Sequence, residues 1–105
     1  MRMKNNSVIE AWKNGQDPAT NHRRSLYVLA DRHRTNSLWL YSYNEIIGVN
    51  INGTCFVKDL TAKTGHFHSV TTSGHVNKAK SVANIVMHPK VWKATPELYG
   101  QELPF

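Results

Sequence analysis

Apolar side chains enter this sequence in short bursts whose spacing changes along the chain. The first burst is Val8, Ile9, Ala11 and Trp12. Ser7 and Glu10 stand three residues apart in capping-box form, and Gly15 sits where a C′ residue belongs, which predicts a short helix running up to Gly15. Hardly two turns long, it needs Ile9 and Trp12 docked on a larger body. The segment 16–21, with Asp17, Pro18 and Asn21, reads as a turn or loop.

From Ser25 to Asp59 the pattern is strand-like. Leu26, Tyr27, Val28 and Leu29 form an apolar run of strand length, and 31–37 is polar, a loop or an exposed strand end. Over 38–43 a period of two places Trp39, Tyr41 and Tyr43 on one face and Leu38, Leu40 and Ser42 on the other. Asn52-Gly53 is the dipeptide a type I′ turn demands, so 46–51 and 54–59 are predicted to form a hairpin pairing Ile51 with Thr54 and Val49 with Phe56. Strict alternation then puts Ile47, Val49, Ile51 and Phe56 toward the core. Ile46, Asn50 and Asp59 lie opposite, Gly48 allows a close approach, and Cys55 points away from Phe56.

Segment 61–65 reads as a connection, and 66–71 as one more strand with His66, His68 and Val70 on a common side. Thr72 or Ser73 can cap a helix over about 74–87, whose stripe is Val76, Ala79, Val82, Ala83 and Val86. Pro89 ends it, because the residue before a proline disfavours the helical region. An irregular tail from about 89 carries the anchors Trp92, Leu98, Tyr99 and Phe105. The sum is a single small α+β domain: an antiparallel sheet of three to five strands, a short N-terminal helix, and a longer helix packed on the sheet.

Composition narrows the class. The 105 residues carry 40% hydrophobic and 10% aromatic side chains, too many for a disordered chain. The longest apolar run, 26–30, is far short of a membrane span. The basic first residues lead into no apolar stretch, so no signal peptide is expected, and one cysteine excludes an internal disulfide and suits a reducing compartment. A cytoplasmic protein is the expectation.

Charge changes the picture most. Thirteen Lys and Arg against seven Asp and Glu leave +6, and all five arginines lie at or before Arg34. Arg23 and Arg24 precede the 26–30 strand; Arg32 and Arg34 follow it. Guanidinium forks grip phosphate and carboxylate bidentately, so these four, with Lys78, are candidate contacts to nucleic acid or to an acidic partner; the bland alternative is a solvated loop. Trp39 and Tyr41, if exposed, would offer a stacking platform for bases; if buried, they are core, the reading favoured for large aromatics.

Six histidines include His66 and His68 on one side of a strand, with His75 following. Three imidazoles can hold zinc or shuttle protons on a phosphodiester, but their spacing matches no zinc signature and they are weak candidates. No metal, cofactor or catalytic group is assigned. Cys55 is expected to be a buried, inert thiol. Thr71, Thr72, Ser73 and Gly74 form a weak candidate anion nest ahead of a helix.

The residues Leu40, Tyr41, Ser42, Tyr43 and Asn44, then Ile47-Gly48, Asp59-Leu60-Thr61-Ala62, Gly65, Phe67, Ser69 and Thr71 to Val76 resemble a family of small proteins of tailed bacteriophages, and Ile9 to Gly15 resembles the start of such proteins. The resemblance spans roughly Val8 to Ala83 and implies no reaction. It implies a protein that binds, blocks or redirects a host machine or an anti-phage defence complex handling nucleic acid. Its positive charge excludes mimicry of DNA. Direct binding of DNA or RNA is the alternative, and a small ribonuclease using His66 and His68 a remote third.

Overall fold

Residues 2–16, 19–21, 23–31, 37–61 and 69–95 are described by the computed structural model. The chain runs β1 (Arg2–Met3), α1 (Asn5–Lys13), β2 (Ala19–Asn21), β3 (Leu26–Ala30), β4 (Ser37–Ser42), β5 (Glu45–Ile51), β6 (Thr54–Lys58), α2 (Val70–Lys80), β7 (Ile85–Met87) and α3 (Pro89–Lys93). The α+β class and the two principal helices agree with expectation. Among the described residues the sheet has seven strands rather than three to five, in the order β1-β2-β3-β4-β5-β6-β7. It is mixed: β1 pairs parallel to β2 and β6 parallel to β7, with antiparallel pairing between. Each parallel pair is joined through a helix, as a parallel connection requires.

The Asn52-Gly53 hairpin forms as predicted. Both turn residues have positive φ, 53° and 92°, and Ile51 pairs with Thr54 and Val49 with Phe56. One step earlier the alternation breaks. Leu40 faces Gly48 and Tyr41 faces Ile46, so a bulge leaves Ile47 unopposed. The extra residue puts Ile47 with Leu26, Val28, Leu40, Cys55 and Val57 in one cluster, and Ile46 with Trp39 and Val49 in the other. The expected sides of Ile46 and Ile47 are thereby exchanged.

Both longer helices cover the first of these faces, through Val8, Ile9, Ala11 and Trp12 of α1 and Val76 and Ala79 of α2. The second face is closed by Trp92 of α3, packed with Trp39, Ile46 and Val49. Gly48 lets α1 come close: a Cβ there would lie 2.9 Å from Trp12 Cζ2. Trp12 Nε1 donates to Leu38 O at 3.1 Å, and Asn50 Nδ2 donates to Trp12 O at 2.8 Å, which ties α1 to β4 and β5.

Helix boundaries differ from expectation for local reasons. α1 starts at Asn5, with Lys4 in the N-cap position and no side-chain cap. β1 pairing delivers the chain there, and Ser7 N and Val8 N both donate to Lys4 O, so Ser7 is inside the helix. The end matches: Gly15 has φ +76°, with Gln16 N bonded to Ala11 O and Gly15 N to Trp12 O, a Schellman closure. Residues 19–21, expected as loop, become a strand because β1 and β3 pair with them from both sides.

α2 begins at Val70, capped by Ser69 Oγ, which accepts from Thr72 N at 3.0 Å. It stops at Lys80, where Ser81 Oγ donates to Lys78 O at 2.6 Å. Asn84 then binds Cys55 twice, its N–H to Cys55 O and its Oδ1 from Cys55 N, both 2.9 Å, and this sets 85–87 beside β6 as β7. Residues 81–87 are therefore not helical, although Val82 and Ala83 still pack on the core. Pro89 opens α3 instead of heading an irregular tail, with His88 Nδ1 accepting from Lys90 N. The expected 66–71 strand is helical at Val70 and Thr71; its residues 66–68, and the tail anchors Leu98, Tyr99 and Phe105, lie outside the described residues.

Candidate functional site

Where the β2–β3 turn meets the starts of α1 and α2, a cleft of about 290 Å³ opens, lined by Lys4, Asn5, Asn21, Arg23, Ser25, Thr71 and His75. The turn is built around Asn21. Its Oδ1 accepts from Ser25 N at 2.9 Å and Leu26 N at 3.3 Å, and its Nδ2 donates to Ser25 Oγ and Asn5 Oδ1 at 2.9 and 2.8 Å. This network joins the turn to the first residue of α1. Arg23 and Arg24 are carried outward on the turn, Arg24 at φ 56°, and both are exposed.

His75 lies on the inner side of α2, 2% exposed. Its Nδ1 is 2.7 Å from Ser42 Oγ, which is itself 3.0 Å from Thr72 Oγ1. Burial, aided by the Lys78 charge, holds the imidazole below its ordinary pKa, so it is neutral near pH 7. The Tyr43 ring, half exposed, stands 6.4 Å from that of His75. Lys78 reaches from α2 to Asn6 Oδ1 at 3.1 Å, near the start of α1.

The electrostatics are one-sided. No lining residue of the cleft is acidic among the described residues. Three carboxylates elsewhere are engaged: Glu45 with Lys58 at 2.9 Å, Asp59 with Lys80 at 3.3 Å, and Asp31 with Trp39 Nε1 at 2.9 Å. Lys4 and Arg23 have no such partner among the described residues. At the start of α1 there is no acidic residue in the first turn, so the open N–H groups add positive potential.

The structure divides the residues singled out in the sequence. Arg23 lines the cleft, Arg24 adjoins it in the same turn, and Lys78 lies on α2 beyond His75. Trp39 is fully buried against Trp92 and presents no ring face to a ligand. Tyr41 is half-buried and stacks on Tyr27, centroids 5.0 Å apart, on the sheet face away from α1 and α2. The Trp39–Tyr41 platform is thus closed at Trp39 and lies on the other side of the sheet from the cleft. Arg32, Arg34, His66 and His68 lie outside the described residues. Among the described residues no group of three His, Cys, Asp or Glu side chains gathers as a metal site, and His75 is turned to Ser42. Cys55 is buried and its thiol pushed up by burial, hence protonated near neutral pH.

Lys4, Asn5, Asn21 and Ser25 escaped sequence reasoning. The available signals were weak: a lysine before two asparagines ahead of an apolar helical pattern, and an Asn four residues before a Ser at a strand entry. In comparisons with known proteins, no family model, no curated relative and no solved structure matches this chain. No helix among the described residues is long and apolar enough to cross a membrane.

Proposed function

We propose that this is a small non-catalytic binding protein that holds the phosphates of a nucleic acid at its basic end. The observation carrying this reading is the convergence of Lys4, Arg23 and the open start of α1 on one cleft with no carboxylate in its described lining. Arg24 and Lys78 extend the positive surface on either side. Binding is favoured over catalysis because the Ser42 hydroxyl of the Ser42–His75 pair is fully buried and shared with Thr72, so it meets no substrate. Phosphate contact rather than base stacking dominates, since Trp39 is sealed in the core.

Labelled single- and double-stranded oligonucleotides titrated with the full chain at increasing salt test this reading. Affinity should fall log-linearly with salt, and Lys4→Ala or Arg23→Ala should each lower the slope by about one ion. Absence of binding at low salt, or binding indifferent to both substitutions, overturns it.

A second reading is that the protein docks on a host or defence complex that handles nucleic acid. It is favoured by the exposed Ile85 and Val86 of β7 and Val91 of α3, three apolar side chains near one sheet edge. A protein captured at stoichiometry after nuclease treatment, and released by Val86→Asp rather than by salt, would favour this reading over the first.

A further inference from the structure

The buried hydroxyls beneath the cleft fix the protons of His75. Thr72 Oγ1 has Ser42 Oγ as its one side-chain partner, and Ser42 Oγ has only Thr72 and His75 Nδ1, among the described residues. Two hydroxyl protons need acceptors in this buried chain. They both find one only if Thr72 donates to Ser42 and Ser42 donates to His75 Nδ1. The reverse order strands the Thr72 proton without an acceptor, which a buried hydroxyl pays for in full. With Nδ1 accepting, the neutral imidazole carries its proton on Nε2. That N–H has no acceptor among the described residues, and His75 lines the cleft.

The remaining groups are donors as well. Asn21 spends both amide protons on Asn5 Oδ1 and Ser25 Oγ, leaving the Asn5 amide with its NH2 unpaired among the described residues. Lys4 and Arg23 donate only, and Thr71 adds an exposed hydroxyl. A cleft of donors, two of them charged and one the neutral N–H of a buried ring, suits a tetrahedral oxyanion. Resting on the nucleic-acid reading, we propose that the cleft seats one phosphate group, gripped by Lys4 and Arg23 at its rim and by the His75 Nε2–H at its floor. The phosphate comes either from a strand terminus or from the strand backbone.

The test is long-range ¹H–¹⁵N spectroscopy of the histidine ring in the full ¹⁵N-labelled chain. The free protein should show His75 as the Nε2–H tautomer. Inorganic phosphate should shift its Nε2 resonance saturably while sodium chloride of equal ionic strength does not, and Arg23→Gln should weaken the phosphate site about tenfold. An Nδ1–H tautomer, or an Nε2 signal that phosphate leaves unmoved, overturns the proposal. Arg23 is exposed, so its variant folds even where a His75 substitution does not. Oligonucleotides with 5′-phosphate and 5′-hydroxyl ends then identify the source: a His75 shift confined to the former places a strand terminus in the seat, and an equal shift places a backbone phosphate there. Oligonucleotide binding without any His75 shift ends the seat and spares the nucleic-acid reading. A phosphate-induced shift without oligonucleotide binding does the opposite.

Discussion

Gly48 and the indole of Trp12 occupy each other's space: a Cβ on residue 48 would sit 2.9 Å from Trp12 Cζ2 and 3.1 Å from Phe56 O. Neither neighbour can yield easily, since one is a fully buried ring and the other is backbone in the sheet. Gly48→Ala is expected to destabilise the fold by about 1–3 kcal/mol, read as a lower urea midpoint. Adding Trp12→Phe shrinks the ring, so the double variant should lose less than the two single losses combined.

Two buried tryptophans differ in their polar atom. Trp12 Nε1 donates to Leu38 O, whereas Trp92 Nε1 is buried with no partner among the described residues. Replacing either with Phe removes packing, but only Trp12→Phe also breaks a hydrogen bond, while Trp92→Phe relieves an unsatisfied N–H. Trp12→Phe should therefore cost at least about 1 kcal/mol more than Trp92→Phe in denaturant unfolding. Equal losses would mean that the Trp12 bond contributes nothing net.

His75 makes stability depend on pH. Its imidazole is held below the ordinary 6.5 by burial and by Lys78; the Tyr43 ring faces it from the β4–β5 turn, and Lys4 and Arg23 share its cleft, with no carboxylate in the described lining. Below pH 6.5 the unfolded chain takes up a proton that the folded chain refuses. The stability is thus complete above 6.5 and is lost as pH falls toward the lowered folded value. Urea midpoints at pH 7.5 and 5.5 should drop for the natural chain. The drop should shrink in His75→Asn, whose carbonyl still accepts from Ser42.

Stability and binding should separate at two residues. Trp39→Phe removes the bond to Asp31 and part of a fully buried ring, and is expected to cost about 1–3 kcal/mol. It should leave oligonucleotide affinity within about twofold. Arg23→Ala should do the reverse, weakening binding with a melting temperature essentially unchanged, since surface changes away from special features cost little. Weakened binding in folded Trp39→Phe would return base stacking to the mechanism.

The sequence made some of this legible and hid the rest for physical reasons. The hairpin was readable because few residues besides Asn and Gly accept the two positive φ angles its turn needs. The bulge at Ile47 was not, since nothing local distinguishes an interrupted alternation from an intact one. β7 was obscured because Val82, Ala83 and Val86 keep helical spacing; the Asn84–Cys55 pair that ends the helical path joins residues 29 apart. The cleft was half visible. Arg23 announced itself by charge, but Lys4 and Asn5 reach it only through β1–β2 pairing, and His75 only because α2 crosses the sheet over Ser42.

The agreement between strand order in space and in sequence bears on how the molecule assembles. Every strand closes on its neighbour in the chain, so no edge must wait for a remote segment, and the longest closures are the two helical crossovers. For a protein so rich in strands this is a low-contact-order route, one associated with rapid folding. The sheet can lengthen in one direction as the chain emerges during synthesis. β7 and α3 come late, and until Trp92 arrives the layer of Trp39, Ile46 and Val49 has no lid. A nascent chain halted before that point would expose all three together, making this the interval in which the protein is most prone to stick to itself.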